Sequence, residues 1–224
     1  MDAAYWNSLL ADYRNASQQA FGRLVSDNAL LLAMSVAQHE TANGLAWPGT
    51  YNFGAVQLRK LTADEQSQFN ADTLKAGDKF PGNPGGVLHV DTHPTSAGSI
   101  PYAVWFAAFP TRVDGIAYFL KVLWRCSKAA PEADGATAAT VAQAMYASPP
   151  DAGGYYEGWK PGARPPSQRT QPLTAPELGN ISDYAGAVDK CLAMINAVLV
   201  PATVTYQLSD DAPMPHVDPG GANV

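Results

Sequence analysis

The chain has 224 residues, 46% of them apolar and 15% charged, enough apolar material for one substantial core. Lys and Arg number 14 against 20 Asp and Glu, a net charge of −6, and no run of like charge occurs, which argues against a nucleic-acid surface. No apolar stretch approaches the roughly 18 to 20 residues that a membrane-spanning helix needs.

Residues 3 to 22 predict an amphipathic helix, with Ala4, Trp6, Leu9, Leu10 and Tyr13 three or four apart, giving way at Gly22. Ser26 or Asp27 can cap a second helix over 28 to 40. Its Leu30, Leu31, Met34, Val36 and Ala37 cover most of the circumference, so it is expected at the centre of the core. Thr62-Ala-Asp-Glu65 matches a capping box and opens a short helix to about Leu74. Residues 75 to 86 are too rich in Gly and Pro for a regular element. Residues 87 to 93 and 100 to 109 read as extended, and joined through 94 to 99 they predict a small antiparallel lobe.

Thr111-Arg-Val-Asp114 is a second capping-box-like start, leading a helix through Ile116, Phe119, Leu120, Leu123 and Trp124 to about Ala130. Thr137 opens another, to about Ala147. Residues 148 to 176 carry seven prolines and four glycines and are expected to form a long loop, of a length that often lines a site. Ser182 or Asp183 begins a last helix through Val188, Leu192, Ile195 and Leu199. From Pro201 the apolar period is lost. The expected organisation is therefore one domain over 1–200 and an extended tail over 201–224, without internal repeats. Cys126 and Cys191, in separate helical segments, define no disulfide framework and read more simply as two buried thiols.

Chemistry concentrates at residues 39 to 57. Glu40 stands in the last turn of the most apolar helix. Apolar surroundings and the negative end of the helix dipole both disfavour a charge there, the condition a general acid requires. A helix ending in Glu40-Thr41, a turn-rich stretch and then Gly54-Ala-Val-Gln57 resembles the lysozyme-like superfamily: goose-type lysozymes, lytic transglycosylases and peptidoglycan glucosaminidases. Asn52-Phe53-Gly54, the helix start Phe109-Pro-Thr-Arg-Val-Asp-Gly115, and Tyr155-Tyr156 with Gly158 are similar to features of the glucosaminidase branch.

The resemblance implies an α+β, mainly helical, lysozyme-like fold with a small β-hairpin lobe, and cleavage of the β-1,4 glycan backbone of peptidoglycan with Glu40 as the acid. Such chemistry needs no metal or cofactor. A second carboxylate would stabilise the oxocarbenium-like centre or place a water, and Asp91 on the extended lobe is the candidate; the other reading of Asp91 is a solvated hairpin residue. Without it, Glu40 would act as acid and then base while the sugar's 6-hydroxyl closes an anhydro ring. Asn52 and Gln57 carry amides suited to a substrate N-acetyl group or to Glu40, or else to bridging loop backbone. Tyr155, Tyr156 and Trp159 from the late loop, and Trp47 from the opposite wall, are expected to stack on sugar faces.

Two rivals stand beside this reading. His89, Asp91 and His93 alternate on one strand face and would suit a metal-dependent wall amidase or peptidase. A non-catalytic glycan-binding component of a phage or secretion machine is the other. His39-Glu40-Thr-Ala-Asn43 lacks the second histidine of the zinc-protease pattern. The first residues lack the basic start and apolar core of a secretory leader, so the chain is expected to be already mature, to stay inside or to leave by another route. For a wall hydrolase this implies phage release or specialised secretion, action at the bacterial wall, and an immunity protein or the delivery machinery as partners beside the glycan strand.

Overall fold

The structure, a computed structural model, describes residues 1–46, 50–82, 84–95, 98–146 and 174–199, with backbone alone for 91–95, 98–102 and 146. Six helices and a four-stranded antiparallel sheet make an α+β fold dominated by helix.

Helix α1 (Ala3–Phe21) starts where the Asp2 carboxylate accepts the Tyr5 N–H and stops at Gly22 with φ 69°. Helix α2 (Asp27–Thr41) is capped by Ser26 and buries Leu30, Ala33, Met34 and Ala37 completely. It is the central helix that its all-round apolar character predicts. With α4 (Arg112–Cys126), α5 (Ala138–Tyr146) and α6 (Ala175–Val198) these helices enclose the main core. Helix α1 packs on α4, and α6 lies against both α2 and α5. Thr111 caps α4, its hydroxyl bonded to the Asp114 carboxylate at 2.6 Å and accepting the Asp114 N–H.

The sheet lobe is inserted between α2 and α4. Strands β1 (Gln57–Lys60), β2 (Lys79–Phe80), β3 (Gly85–Thr95) and β4 (Gly98–Ala108) stand in the order β1-β4-β3-β2. The β3–β4 hairpin is in register from Gly85 opposite Ala108 to Thr95 opposite Gly98. Its β3 face with Leu88 and Val90 covers a second, smaller core with Trp105, Leu58, Leu61, Phe69, Leu74 and Phe80. Helix α3 (Ala63–Asn70) lies in this lobe, closed by the expected Thr62–Glu65 capping box. Val56, Ala107 and Phe109 pack together with Tyr118 of α4 and join the lobe to the helices.

Several boundaries differ from expectation. Lys79–Phe80 pairs with Gly86 and Val87 inside the Gly- and Pro-rich stretch, because the hairpin edge offers ladder hydrogen bonds that local composition does not foretell. Helix α4 ends at Cys126 rather than near Ala130: Lys128 and Ala129 turn left-handed ahead of a short 3-10 turn, Ala130–Glu132. Helix α6 begins seven residues before Ser182, at Ala175. Pro176 stands in its first turn, where a missing N–H costs nothing, and Thr174 with Glu177 forms a capping box. Cys126, buried, and Cys191, half-buried, are both thiols. Burial pushes the Cys191 thiol up from its ordinary value.

Candidate active site

Helix α2 carries Glu40 to its C-terminal end, at the junction of the helical lobe and the sheet lobe. Glu40 is half-buried, a more open position than the apolar helix before it suggests. The hydroxyl of Tyr184 on α6 donates to Glu40 Oε1 at 2.7 Å. Tyr184 is itself buried at 5% exposure, on the face of α6 that also buries Ile181, Ala185 and Val188. Its phenol is therefore held by core packing. His39 is exposed and sets its ring edge-on against Tyr184, with centroids 4.8 Å apart at 84°.

Thr41 follows Glu40 and ties the helix end to the segment that wraps past it. Its side chain is 1% exposed. The hydroxyl lies 2.9 Å from the Phe53 carbonyl and 3.1 Å from that of Ala37, and it accepts the Gly44 N–H at 2.9 Å. Residues 42 to 44 turn with φ of 50°, 55° and 80°. The buried Asn43 side chain donates to Gln38 at 2.7 Å and closes this turn against α2. Phe53 is buried against Tyr13 of α1, edge-on at 6.1 Å.

Asn52 is 1% exposed and fully engaged with backbone. Its amide donates to the carbonyls of Val56 and Ala107, both at 3.1 Å, while Oδ1 accepts the N–H of Val56 at 2.9 Å. Asn52 thus fastens the 50–56 segment to the end of β4, an arrangement completed by Ala107 N–H to Val56 and Phe109 N–H to Thr50. Of the two roles open to Asn52 from the sequence, this geometry displays the bridging one. Tyr51 and Ala55 in this segment have φ of 48° and 52°, left-handed values that cost a non-glycine residue of order 1 kcal/mol each. Such strain persists only where its surroundings hold it, and here it sits within two residues of the Thr41–Phe53 tie.

Gln57 is exposed on β1, in register with Phe106 of β4. Asp91 stands in β3 opposite Tyr102, and its side chain lies outside the described residues. His89, two positions earlier, packs edge-on against Phe106 at 5.0 Å. Among the described residues no group of three His, Cys, Asp or Glu is placed to hold a metal ion; the Asp91 and His93 side chains fall outside them. Trp47, Tyr155, Tyr156, Trp159 and the tail over 201–224 also lie outside the described residues.

Tyr184 was not singled out by sequence reasoning. Its only sequence signal is its place among Ile181, Ala185 and Val188 at helical spacing, which marks a core residue and not a partner of Glu40. Contact between residues 144 positions apart is set by the packing of α6 on α2.

No helix of the described residues is long and apolar enough to cross a membrane. No family model matches the chain and no curated protein matches it. Among solved structures it is similar to a C-terminally truncated glycoside hydrolase domain from Salmonella typhimurium FlgJ, with 16% identity over 87% of this chain and 97% of that one and a TM-score of 0.43, a likeness too distant to carry an argument.

Proposed function

We propose that this protein is a lysozyme-like enzyme that cleaves the β-1,4 glycan backbone of peptidoglycan with Glu40 as its general acid. The observation that carries the reading is the hydrogen bond from the buried Tyr184 hydroxyl to a half-buried Glu40 at the end of the central helix. A carboxyl group that must meet a glycosidic oxygen has to be fixed in direction, and a core-anchored phenol fixes it at little entropic cost. The motif residues Thr41 and Asn52 support the reading by a physical role: both lock the turn-rich segment beside the acid.

In the proposed reaction the Glu40 carboxyl gives its proton to the glycosidic oxygen as the C1–O bond breaks, leaving an oxocarbenium-like centre. The Glu40 carboxylate then takes a proton from the attacking group. That group is water in a muramidase or glucosaminidase, with Asp91 placing it or stabilising the oxocarbenium-like centre. It is the sugar's own 6-hydroxyl in a lytic transglycosylase. Gln57 on the exposed edge of β1 would meet an N-acetyl group, and Trp47, Tyr155, Tyr156 and Trp159 would stack on sugar faces. Action at the bacterial wall follows from this substrate, with an immunity protein or a phage or secretion apparatus as the expected protein partners.

The test is Glu40→Gln, which keeps the shape and the Tyr184 contact while removing the transferable proton. Wild-type protein should solubilise purified peptidoglycan and Glu40→Gln should not; equal solubilisation by both rejects the assignment. Mass spectra of the fragments separate a 1,6-anhydro end, a reducing muramic end and a reducing glucosamine end, and released peptides in place of sugars would point to the amidase rival.

A further inference from the structure

Tyr184 touches two titratable residues of α2 at once. Its hydroxyl donates to Glu40 Oε1 at 2.7 Å, and its ring meets the imidazole of His39, the residue before Glu40, with centroids 4.8 Å apart at 84°. The proposed reaction gives His39 no task. His39 is exposed and Tyr184 is buried, so the phenol joins a solvated imidazole to the carboxyl proposed as the acid.

The surroundings of His39 favour a positive charge. It stands in the last turn of α2, at the negative end of the helix dipole. It also lines a groove of about 400 Å³ with Asn180, Asp183, Tyr184 and Ala187 of α6. The Asp183 carboxylate there favours a cation, and none of the described residues that line the groove is Lys or Arg. Helix α1 and the 3-10 turn Ala130–Glu132 pack on α2 as well. Tyr13 of α1 lies at Asn43, past the helix end. The charged pairs Arg14–Asp27 and Arg23–Glu132 stand at or before the helix N-terminus, about 18 Å along the axis from His39.

Histidine is the side chain whose charge ordinarily changes between about pH 5 and 8. An imidazolium is attracted to the aromatic ring it touches and draws electron density from it, which makes the phenol hydroxyl a stronger donor. As Glu40 releases its proton to the glycosidic oxygen, the bonding electron pair stays on the carboxylate, and its new negative charge meets that donor. We infer that His39 is a positioning residue, acting through Tyr184, whose protonated form stabilises the Glu40 carboxylate as it forms. His39 gives no proton to the substrate. Its help is present while the imidazole is charged and is lost as rising pH removes the proton. The inference rests on the proposed glycosidase reading and adds to it control of the acid by pH.

The experiment compares kcat on purified walls for the full chain and for His39→Phe, which keeps a ring against Tyr184 and removes the charge. The ratio of wild type to His39→Phe should be about threefold or more near pH 5.5 and about one near pH 8. In a Tyr184→Phe background it should stay near one at both. A ratio that does not vary with pH overturns the inference, as does the same variation without the Tyr184 hydroxyl. Carbon-13 NMR at tyrosine Cζ reads the first half of the relay without turnover. In full-length Glu40→Gln the Tyr184 signal should move as His39 titrates, and adding His39→Phe should hold it still over the same range. A Tyr184 signal indifferent to His39 overturns the inference whatever the kcat ratios. If the signal moves but the wild type solubilises no wall at any pH, it is the glycosidase reading that fails, and the role of His39 toward an acid goes with it.

Discussion

The carbonyl oxygen of Tyr51 lies against Gly115 of α4, in the space a side chain there would occupy: a Cβ on Gly115 would come closer than 3.0 Å to it, a separation that real Cβ atoms do not show. The motif glycine after Asp114 therefore lets the strained segment beside Glu40 rest directly on the first turn of α4. Helix α4, the 50–56 segment and the end of β4 are locked together at this point, the side-chain amide of Asn52, the next residue of the segment, donating to the Ala107 carbonyl.

Gly115→Ala should accordingly destabilise the protein, although alanine is the better helix former. Overpacking of this kind costs about 1–3 kcal/mol, equivalent to a fall in thermal midpoint of about 2–4 °C per kcal/mol for a chain of this size. The proposed wall-solubilising activity should fall with it, since the displaced backbone is that of Tyr51 and Asn52. A variant as stable as the wild type would show that the Tyr51 carbonyl has somewhere else to go.

Thr41 should distinguish a hydroxyl from a shape. Thr41→Val keeps the volume but leaves the Phe53 carbonyl and Gly44 N–H without their buried partner, at a cost of about 1–3 kcal/mol. Thr41→Ser keeps the oxygen and should retain most of the stability. Urea denaturation of the two variants gives the comparison directly, and a Val variant equal to Ser would remove the tie from the account of the site.

Tyr184→Phe should leave the core packed and free one direction of Glu40. With Glu40 as the proposed acid, loss of this hydrogen bond is expected to lower kcat on purified walls about tenfold, roughly 1.4 kcal/mol in the barrier. Thermal stability should change by only about 1 kcal/mol. A kcat equal to that of the wild type would mean that Glu40 is aimed by other contacts.

Acid should weaken the sheet lobe through its Arg59–Glu65 pair. Arg59 holds Glu65 through hydrogen bonds of 2.6 and 2.7 Å, and this partner, aided by the Thr62 N–H and opposed by a smaller effect of burial, brings the Glu65 carboxyl down to about 2 from an ordinary value of 4.5. A group whose folded value is depressed stabilises the fold fully above its unfolded value and loses that contribution as pH falls through the folded one. The contribution is thus present above about 4.5 and disappears toward 2. For a pair this exposed it amounts to about 1 kcal/mol or less. Arg59 also lies 5.8 Å from the centre of the Trp105 ring, so tryptophan fluorescence should report the change, and Glu65→Gln should abolish its pH dependence in that window.

What the sequence by itself determined is local. Capping residues at Ser26, Thr62 and Thr111, the all-round apolar run from Ala29 to Ala37 and the two β-rich runs specify helices, the hairpin and the place of Glu40, because periodicity and end groups act within a few residues. Where Pro176 suggested loop, the first turn of α6 used it, since the orphan N–H groups of a helix start make proline harmless there. Tertiary structure alone decided what meets Glu40. Packing of α6 on α2 brings Tyr184 to the carboxyl and gathers Asn180, Asp183 and His39 around one groove, and the carbonyl of Tyr51 selects glycine at 115. These contacts join residues from about 60 to more than 140 positions apart, and no spacing rule reaches that far: they follow from which buried faces pair, a choice made by the whole core at once.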